Sequence, residues 1–212
     1  MNPDALAGFN ARVASCTACA LHEGRTQTVP GDGDPNAEIL FIGEAPGFNE
    51  DKQGSPFVGQ AGRVLDQLLL EIELTRADVF VANVLKCRPP NNRDPLPEEI
   101  ETCEPFLSEQ IRGIRPKVIV TLGRFALQYF LPGASISKSR GRQVRCEPYL
   151  LYPLYHPAAA LRQGKLMQIL RDDFQKIPQI IATAERPSVE AITTASAAVE
   201  EEESSSTQLQ LL

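Results

Sequence analysis

The chain has 212 residues, 42% of them hydrophobic, and a formal net charge of −6. This length fits one domain with a complete core and excludes two large ones, and no apolar run approaches the ~20 residues of a bilayer-spanning helix. Because the N-terminus also lacks the pattern of a signal peptide, we expect a cytoplasmic protein whose five cysteines are thiols.

The first segment contains a C-x2-C pair, Cys16 and Cys19, and ends in the turn-forming sequence PGDGDPN. Such a pair is compatible with a redox site, half of a zinc site or half of an iron–sulfur site. The choice among these depends on the rest of the chain.

A buried strand is predicted in the sequence EILFIGEAPG at 38–47, where four apolar residues precede a glycine-bounded loop. Ligands of open parallel sheets bind at the carboxyl ends of strands, and glycines there let backbone N–H groups approach a small molecule. Glu44 is therefore the first candidate for chemistry. A plain turn with one exposed acid would give the same pattern.

The next predicted elements are a helix at 61–71, with apolar residues at helical spacing, and a second strand at 78–85, DVFVANVL. Asn83 interrupts this apolar run, so its amide either satisfies neighbouring backbone or receives a ligand. A basic, proline-broken loop at 86–94 follows, and then a helix that begins near Pro97 and carries Cys103.

Two further strands are predicted at 117–122 and 149–154, and a helix at about 165–181 closes the domain. The repeated order of strand, loop and helix predicts an α/β fold, a three-layer α/β/α arrangement with a central, mainly parallel four-stranded sheet. His156 follows the last strand. A single histidine is more often structural, but Glu44, Asn83 and His156 each follow a strand end and are expected to converge.

Charge is distributed unevenly along the chain. Residues 185–212 contain six Glu and one Arg, a net charge of −5, which leaves −1 for residues 1–184. We predict a domain at 1–184 and a disordered acidic tail at 185–212, because the tail has too few bulky apolar residues to form a core. The polar segment at 133–145 is interpreted either as a solvated hairpin or as a phosphate-contacting loop.

Several motifs in fixed order resemble the iron–sulfur-containing, family 4 uracil-DNA glycosylases over residues 10–182. These motifs are GEAPG at 43–47, SPFVGQAG at 55–62, ANVLKCRPP at 82–90, HPAAAL at 156–161 and four cysteines spaced C-x2-C, long gap, C-x15-C. The resemblance implies a 4Fe–4S cluster held by Cys16, Cys19, Cys87 and Cys103, with Cys146 outside the set. Spacing alone leaves a four-thiolate zinc site open.

The resemblance also implies how a uracil flipped out of DNA is held. Phe57 would stack on the ring, the Asn83 amide would pair with its O4 and N3–H, and the backbone from Gly43 through Glu44 and Ala45 to Gly47 would help to bind it. His156 would donate a hydrogen bond to O2 of the departing base. Glu44 would stabilise the cationic sugar or position the attacking water.

Contacts with the remaining DNA are expected from four residues. Leu161 would fill the space that the flipped base vacates, and Arg140, Arg142 and Arg162 would contact phosphates. At the C-terminus, QLQLL (Gln208, Leu209, Gln210, Leu211, Leu212) resembles the peptide by which bacterial repair proteins bind the sliding clamp, although chance would also explain it.

The resemblance implies a monofunctional glycosylase that hydrolyses the bond between uracil and deoxyribose in base excision repair. Nothing in the sequence suggests more than a monomer, so a monomer is expected. One alternative is a uracil-DNA-binding or crosslinking protein of the same superfamily without turnover. Its trapping histidine would lie at 86–97, where this chain has none. A second alternative, a zinc-stabilised nucleic-acid-binding module, leaves Glu44, Phe57, Asn83 and His156 unexplained.

Overall fold

The computed structural model describes residues 1–192. The strands are β1 (Asp32–Gly33), β2 (Ile39–Gly43), β3 (Phe80–Asn83), β4 (Val118–Leu122), β5 (Val144–Cys146) and β6 (Tyr149–Leu154). The helices are α1 (Pro3–Ala14), α2 (Leu21–Gly24), α3 (Phe48–Gln53), α4 (Gln60–Leu70), α5 (Pro97–Ile114), α6 (Arg124–Phe130), α7 (Ile136–Ser139), α8 (Pro157–Arg162), α9 (Lys165–Phe174) and α10 (Ile177–Thr183). Short 3-10 turns lie at Arg76–Asp78 and Pro90–Asn92.

The strands form one sheet in the order β1-β3-β2-β4-β6-β5. Its centre, β3-β2-β4-β6, is parallel and consists of the four strands predicted from the sequence. The fold class is therefore confirmed, but the strand count of four is too low, because β1 and β5 pair antiparallel at the two edges. These edge strands have only two and three residues and lack an apolar run.

Helices cover both faces of the sheet, as three layers require. In β2, Ile39 and Phe41 pack toward α4, α9 and α10, whereas Leu40 and Ile42 pack toward α5 and α6. This alternation follows from the two-residue period of a strand. All five residues of β2 are buried, which is why the strand is recognisable as a continuous apolar run.

Two segments differ from their predicted form. The polar segment at 133–145 contains α7 and, at its end, the first two residues of the edge strand β5, which pairs with β6. The helix predicted at about 165–181 is divided into α9 and α10. Pro178 explains the break, because proline has no N–H to continue a helix and fits the first turn of a new one.

The packed body extends beyond residue 184, where the acidic tail was predicted to begin. The Arg186 guanidinium donates to the main-chain oxygens of Ile114 (3.1 Å) and Asn36 (3.0 Å), and Ile192 is buried. The rest of the predicted tail, with the QLQLL peptide, lies outside the described residues. Within residues 1–192, no helix has the length and apolar character needed to cross a membrane.

Candidate active site and cysteine cavity

A pocket lies at the carboxyl ends of the parallel strands. Glu44 follows β2, Asn83 ends β3 and His156 follows β6, and all three line this pocket together with Phe57. The structure thus brings together the polar residues that the topology places at strand ends. Ala45, Gly47 and Arg162 line the same pocket.

The loops after β2 and β3 run side by side. Gly43 is paired with Asn83 in the sheet, and the main-chain N–H groups of Val84 and Leu85 donate to the oxygens of Gly43 and Glu44, both at 3.0 Å. A Cβ atom on Gly43 would lie 2.4 Å from Asn83 Oδ1 and 2.7 Å from Phe57 Cζ. Glycine is therefore required at this position for both side chains to reach the pocket.

Phe57 is held in an uncommon backbone conformation. Its φ is +54°, which for a large side chain costs energy that the surroundings must offset. Arg76 Nη2 donates to its carbonyl oxygen at 2.8 Å, and Arg76 in turn is paired with Asp66. The Phe57 ring then packs nearly parallel to the His156 imidazole, with 5.4 Å between ring centroids and 24° between planes.

His156 is fixed as a neutral imidazole. Its Nδ1 accepts a hydrogen bond from the Ala158 main-chain N at 3.1 Å, at the start of α8. Burial lowers the pKa of His156 to about 4, with Arg162 adding to this effect and Glu50 opposing it. The proton of the neutral ring is accordingly assigned to Nε2, which is left as a hydrogen-bond donor.

Glu44 lies in a partly desolvated position. Burial raises the pKa of its carboxyl group above the ordinary value, and the nearby Asp94 adds to the rise while Arg124 opposes it. Asp94 and Arg124 are themselves ion-paired, and Asp94 also lines the pocket. A carboxylate in such surroundings interacts more strongly with a developing positive charge than it would in bulk water.

A second cavity is lined by four of the five cysteines: Cys16, Cys19, Cys87 and Cys103. Two N–H groups donate to their sulfurs at 3.3 Å, from Arg25 Nη1 to Cys87 and from the Lys86 main chain to Cys103. Burial raises the pKa of the Cys103 thiol to about 11 and also raises that of Cys87. Cys146 lies apart from this cavity, in β5.

As they stand, the side chains of residues 1–192 include no group of three or more His, Cys, Asp or Glu that could hold a metal ion. The four thiols instead surround a largely apolar space between α1, α2, the loop after β3 and α5.

The four residues predicted to contact DNA fall into two groups. Leu161, which is 48% exposed, and Arg162 lie together on α8 beside the pocket. Arg140 and the exposed Arg142 lie between α7 and β5. Arg140 is already engaged, because its guanidinium is paired with the buried Asp173 at 2.7 Å.

Sequence reasoning missed several residues that build the pocket. Glu50 Oε1 accepts hydrogen bonds from the main-chain N–H groups of Val58 (3.0 Å) and Gly59 (2.8 Å), which joins α3 to the segment before α4. Arg76 supports Phe57, and the buried Lys86 contacts Asn83. Arg76 contacts Phe57 from nineteen residues away, and Lys86 is also bound to Gln110, twenty-four residues away on α5, so no local pattern marks these residues.

Known proteins match this chain over most of its length. Residues 30–179 match the model of the uracil DNA glycosylase superfamily. The chain is 47% identical to the type-4 uracil-DNA glycosylase of Sulfurisphaera tokodaii over 88% of its own length and 90% of the relative. It is also 47% identical to the type-4 enzyme of Archaeoglobus fulgidus (79% and 89% covered) and 46% identical to that of Thermotoga maritima (80% and 91%).

Proposed function

Because the chain belongs to the uracil DNA glycosylase superfamily, and within it to the type-4 family, we propose that it removes uracil from DNA. It flips the uracil out of the helix, hydrolyses the N-glycosidic bond and leaves an abasic site for base excision repair. The observation that carries this proposal is the single pocket in which Glu44, Phe57, Asn83 and His156 meet.

Base recognition depends on Asn83 and Phe57. The Phe57 ring supplies the aromatic surface for the flipped base, and the Asn83 amide pairs with uracil O4 and N3–H. Cytosine presents the reverse donor and acceptor pattern at these positions. A wrong base would leave a buried amide unpaired, at a cost of about 1–3 kcal/mol. The backbone of Gly43, Glu44 and Ala45 completes the wall of the site.

His156 stabilises the departing base. As the glycosidic bond breaks, negative charge develops on the uracil, chiefly at O2. The Nε2–H of a neutral imidazole donates to that oxygen, and the hydrogen bond strengthens as the charge grows. The low pKa of His156 means that the residue acts as a fixed hydrogen-bond donor and is not a charged acid at neutral pH.

Glu44 acts on the other product of bond cleavage. The sugar becomes cationic as the base leaves, and a carboxylate on the pocket wall stabilises that charge or positions the water that attacks C1′. Both roles require the ionised form. The raised pKa of Glu44 therefore sets a lower limit to the pH range of the reaction.

The four cysteines that line the second cavity hold a 4Fe–4S cluster in this proposal. Their chemistry fits such a group, because clusters are bound by four cysteine thiolates and stabilised by N–H donors to the sulfurs, as Arg25 and Lys86 provide here. The cluster would supply a structural tie between the N-terminal segment, the loop after β3 and α5. Iron analysis against zinc analysis of protein purified without air distinguishes the two metals.

DNA outside the pocket is held by α8 and by the loop before β5. Leu161 enters the vacated stack, and Arg162 and Arg142 contact phosphates. Arg140 was predicted to do the same. Its pairing with Asp173 supports a role in fixing the loop that carries Arg142, with its remaining N–H groups directed to the backbone of the DNA.

We also propose that the protein acts as a cytoplasmic monomer and reaches replicating DNA through its C-terminal peptide. Gln208, Leu209, Leu211 and Leu212 would bind the sliding clamp. Deleting residues 208–212 tests this idea, because clamp affinity should fall while uracil release from a short oligonucleotide stays unchanged. Equal clamp affinity with and without the peptide would mean that residues 208–212 do not bind the clamp.

Turnover is the property that separates this function from uracil binding or crosslinking. Protein purified without air should release many moles of free uracil per mole from an oligonucleotide with one U opposite G, and none of the base from a matched C opposite G. A stable covalent complex on a denaturing gel, with at most one uracil released per protein, would favour the crosslinking alternative.

A further inference from the structure

A buried lysine lines the cysteine cavity and also contacts the end of β3, beside the active-site pocket. Lys86 is 1% exposed, and its Nζ donates to the Asn83 main-chain oxygen at 2.8 Å and to Gln110 Oε1 at 2.5 Å. Gln110 is fully buried on α5, and its Nε2 donates to the Pro30 oxygen at 2.7 Å. The lysine is thus the centre of a hydrogen-bonded chain that runs from β3 to α5 and to the segment before β1.

An ammonium group is costly to bury, and such groups are usually paired with a carboxylate. Within the described part of the chain, no ion pair joins Lys86 to an Asp or Glu, and its one charge neighbour is Cys103 of the cysteine cavity. Its hydrogen-bond acceptors are an amide oxygen and a main-chain oxygen. Methionine has similar length and no charge to desolvate, but it could not donate to these two acceptors. The hydrogen bonds from Nζ are therefore what the lysine contributes at this position.

The position of Asn83, whose main-chain oxygen accepts from Lys86 Nζ, indicates what these hydrogen bonds do. Asn83 is the last residue of β3, and its side chain lines the pocket. Gly43 fixes Asn83 from the β2 side through the sheet pairing. Lys86 holds the carbonyl of the same residue from the following loop. Together they define where the Asn83 side chain leaves the backbone, and an error of about 1 Å at such a point is enough to weaken recognition.

We propose that Lys86 is a positioning residue for uracil recognition, which acts through Asn83 and depends on Gln110 for its own placement. This inference rests on the proposed function, because it takes Asn83 as the residue that reads the uracil edge. Lys86 does not touch the base. Its contribution therefore appears only while the Asn83 amide is present.

A double-mutant cycle tests this dependence. The variants are Lys86→Met, Asn83→Ala and the double variant, each purified without air and compared with wild type at equal iron content. The measured quantity is the inhibition constant for free uracil, together with kcat and KM for uracil release. Lys86→Met should weaken uracil inhibition about tenfold, the effect expected for one misplaced buried hydrogen bond, and should have no further effect in the Asn83→Ala background.

Equal effects of Lys86→Met in both backgrounds would overturn the proposal, because the lysine would then act only on overall structure. An unchanged inhibition constant would overturn it as well. If Lys86→Met does not fold, Gln110→Met breaks the same chain of hydrogen bonds. Equal effects in both backgrounds, or an unchanged inhibition constant, would overturn the proposal there too. Absence of uracil release by the wild-type protein would instead contradict the proposed function, so the two failures are distinguishable.

Discussion

His156 Nδ1 and the Ala158 main-chain N are 3.1 Å apart, and this one hydrogen bond sets the chemistry of the imidazole. Because Nδ1 is an acceptor at the start of α8, the neutral ring carries its proton on Nε2. The imidazole is also packed against Phe57. The same ring therefore supports the aromatic wall of the pocket and, in the proposed function, donates to the base.

The pH dependence of catalysis should belong to Glu44. Its pKa lies above the ordinary 4.5, whereas that of His156 is about 4. As the pH falls, Glu44 gains its proton first, the carboxylate is lost, and single-turnover release should slow while His156 is still neutral. The Glu44→Gln variant should be slower at neutral pH and should lack this acid limb down to about pH 4. An identical limb in the variant would assign the titration to another group.

Gly43→Ala should damage the pocket while the sheet stays intact. The added methyl group meets Asn83 Oδ1 and Phe57 Cζ at distances that no relaxed structure allows. We expect kcat/KM for uracil release to fall by about 100-fold, because both base-binding side chains are displaced. Gly164→Ala is the matched control, since a Cβ there meets nothing within 4 Å. Equal activity of the two variants would mean that Asn83 and Phe57 do not bind the base.

Cys103→Ser should remove a cluster ligand. The protein should lose iron and visible absorbance, and its Tm should fall by more than about 5 °C because metal binding contributes to folding. Cys146→Ser provides the control, since Cys146 lies in β5 outside the cysteine cavity. Loss of iron in the Cys146 variant, or full iron content in the Cys103 variant, would refute the ligand assignment.

Arg162→Ala should weaken DNA binding through loss of a phosphate contact. The slope of log K against log salt should become less steep by about 1, with a similar loss for U-containing and U-free duplexes. Arg12→Ala removes an equal charge from α1, where Arg12 pairs with Glu109 away from the pocket, and should leave the slope unchanged. The same slope for wild type and Arg162→Ala would exclude the phosphate contact.

The centre of the fold could be predicted because its strands are buried on both faces. In β2, Ile39 to Ile42 form a short apolar run that ends in a glycine loop, the pattern typical of a parallel strand covered on both faces. The convergence of Glu44, Asn83 and His156 then follows from topology. The edge strands β1 and β5 escaped prediction because two or three residues are too few to show a periodic signal.

The supporting contacts of the site could not be predicted from the sequence. The positive φ of Phe57 depends on Arg76, which lies nineteen residues further along the chain. It also depends on the lack of a side chain at Gly62, where a Cβ atom would collide with the Phe57 carbonyl group. Glu50 accepts from main-chain N–H groups in the segment before α4, and Lys86 joins the end of β3 to Gln110 on α5. Such contacts depend on how loops pack in three dimensions, which hydrophobic periodicity does not encode.

The most direct test of the account is single-turnover release of free uracil from a U-containing duplex by wild type and by His156→Ala. The enzyme is in molar excess over the DNA. Circular dichroism and iron content confirm that wild type and variant are both folded. Wild type should release uracil, and the variant should do so about 100 to 1000 times more slowly, the size of effect seen when one donor to a developing anion is removed. Release at the same rate by both proteins would contradict the assignment of this pocket as the active site.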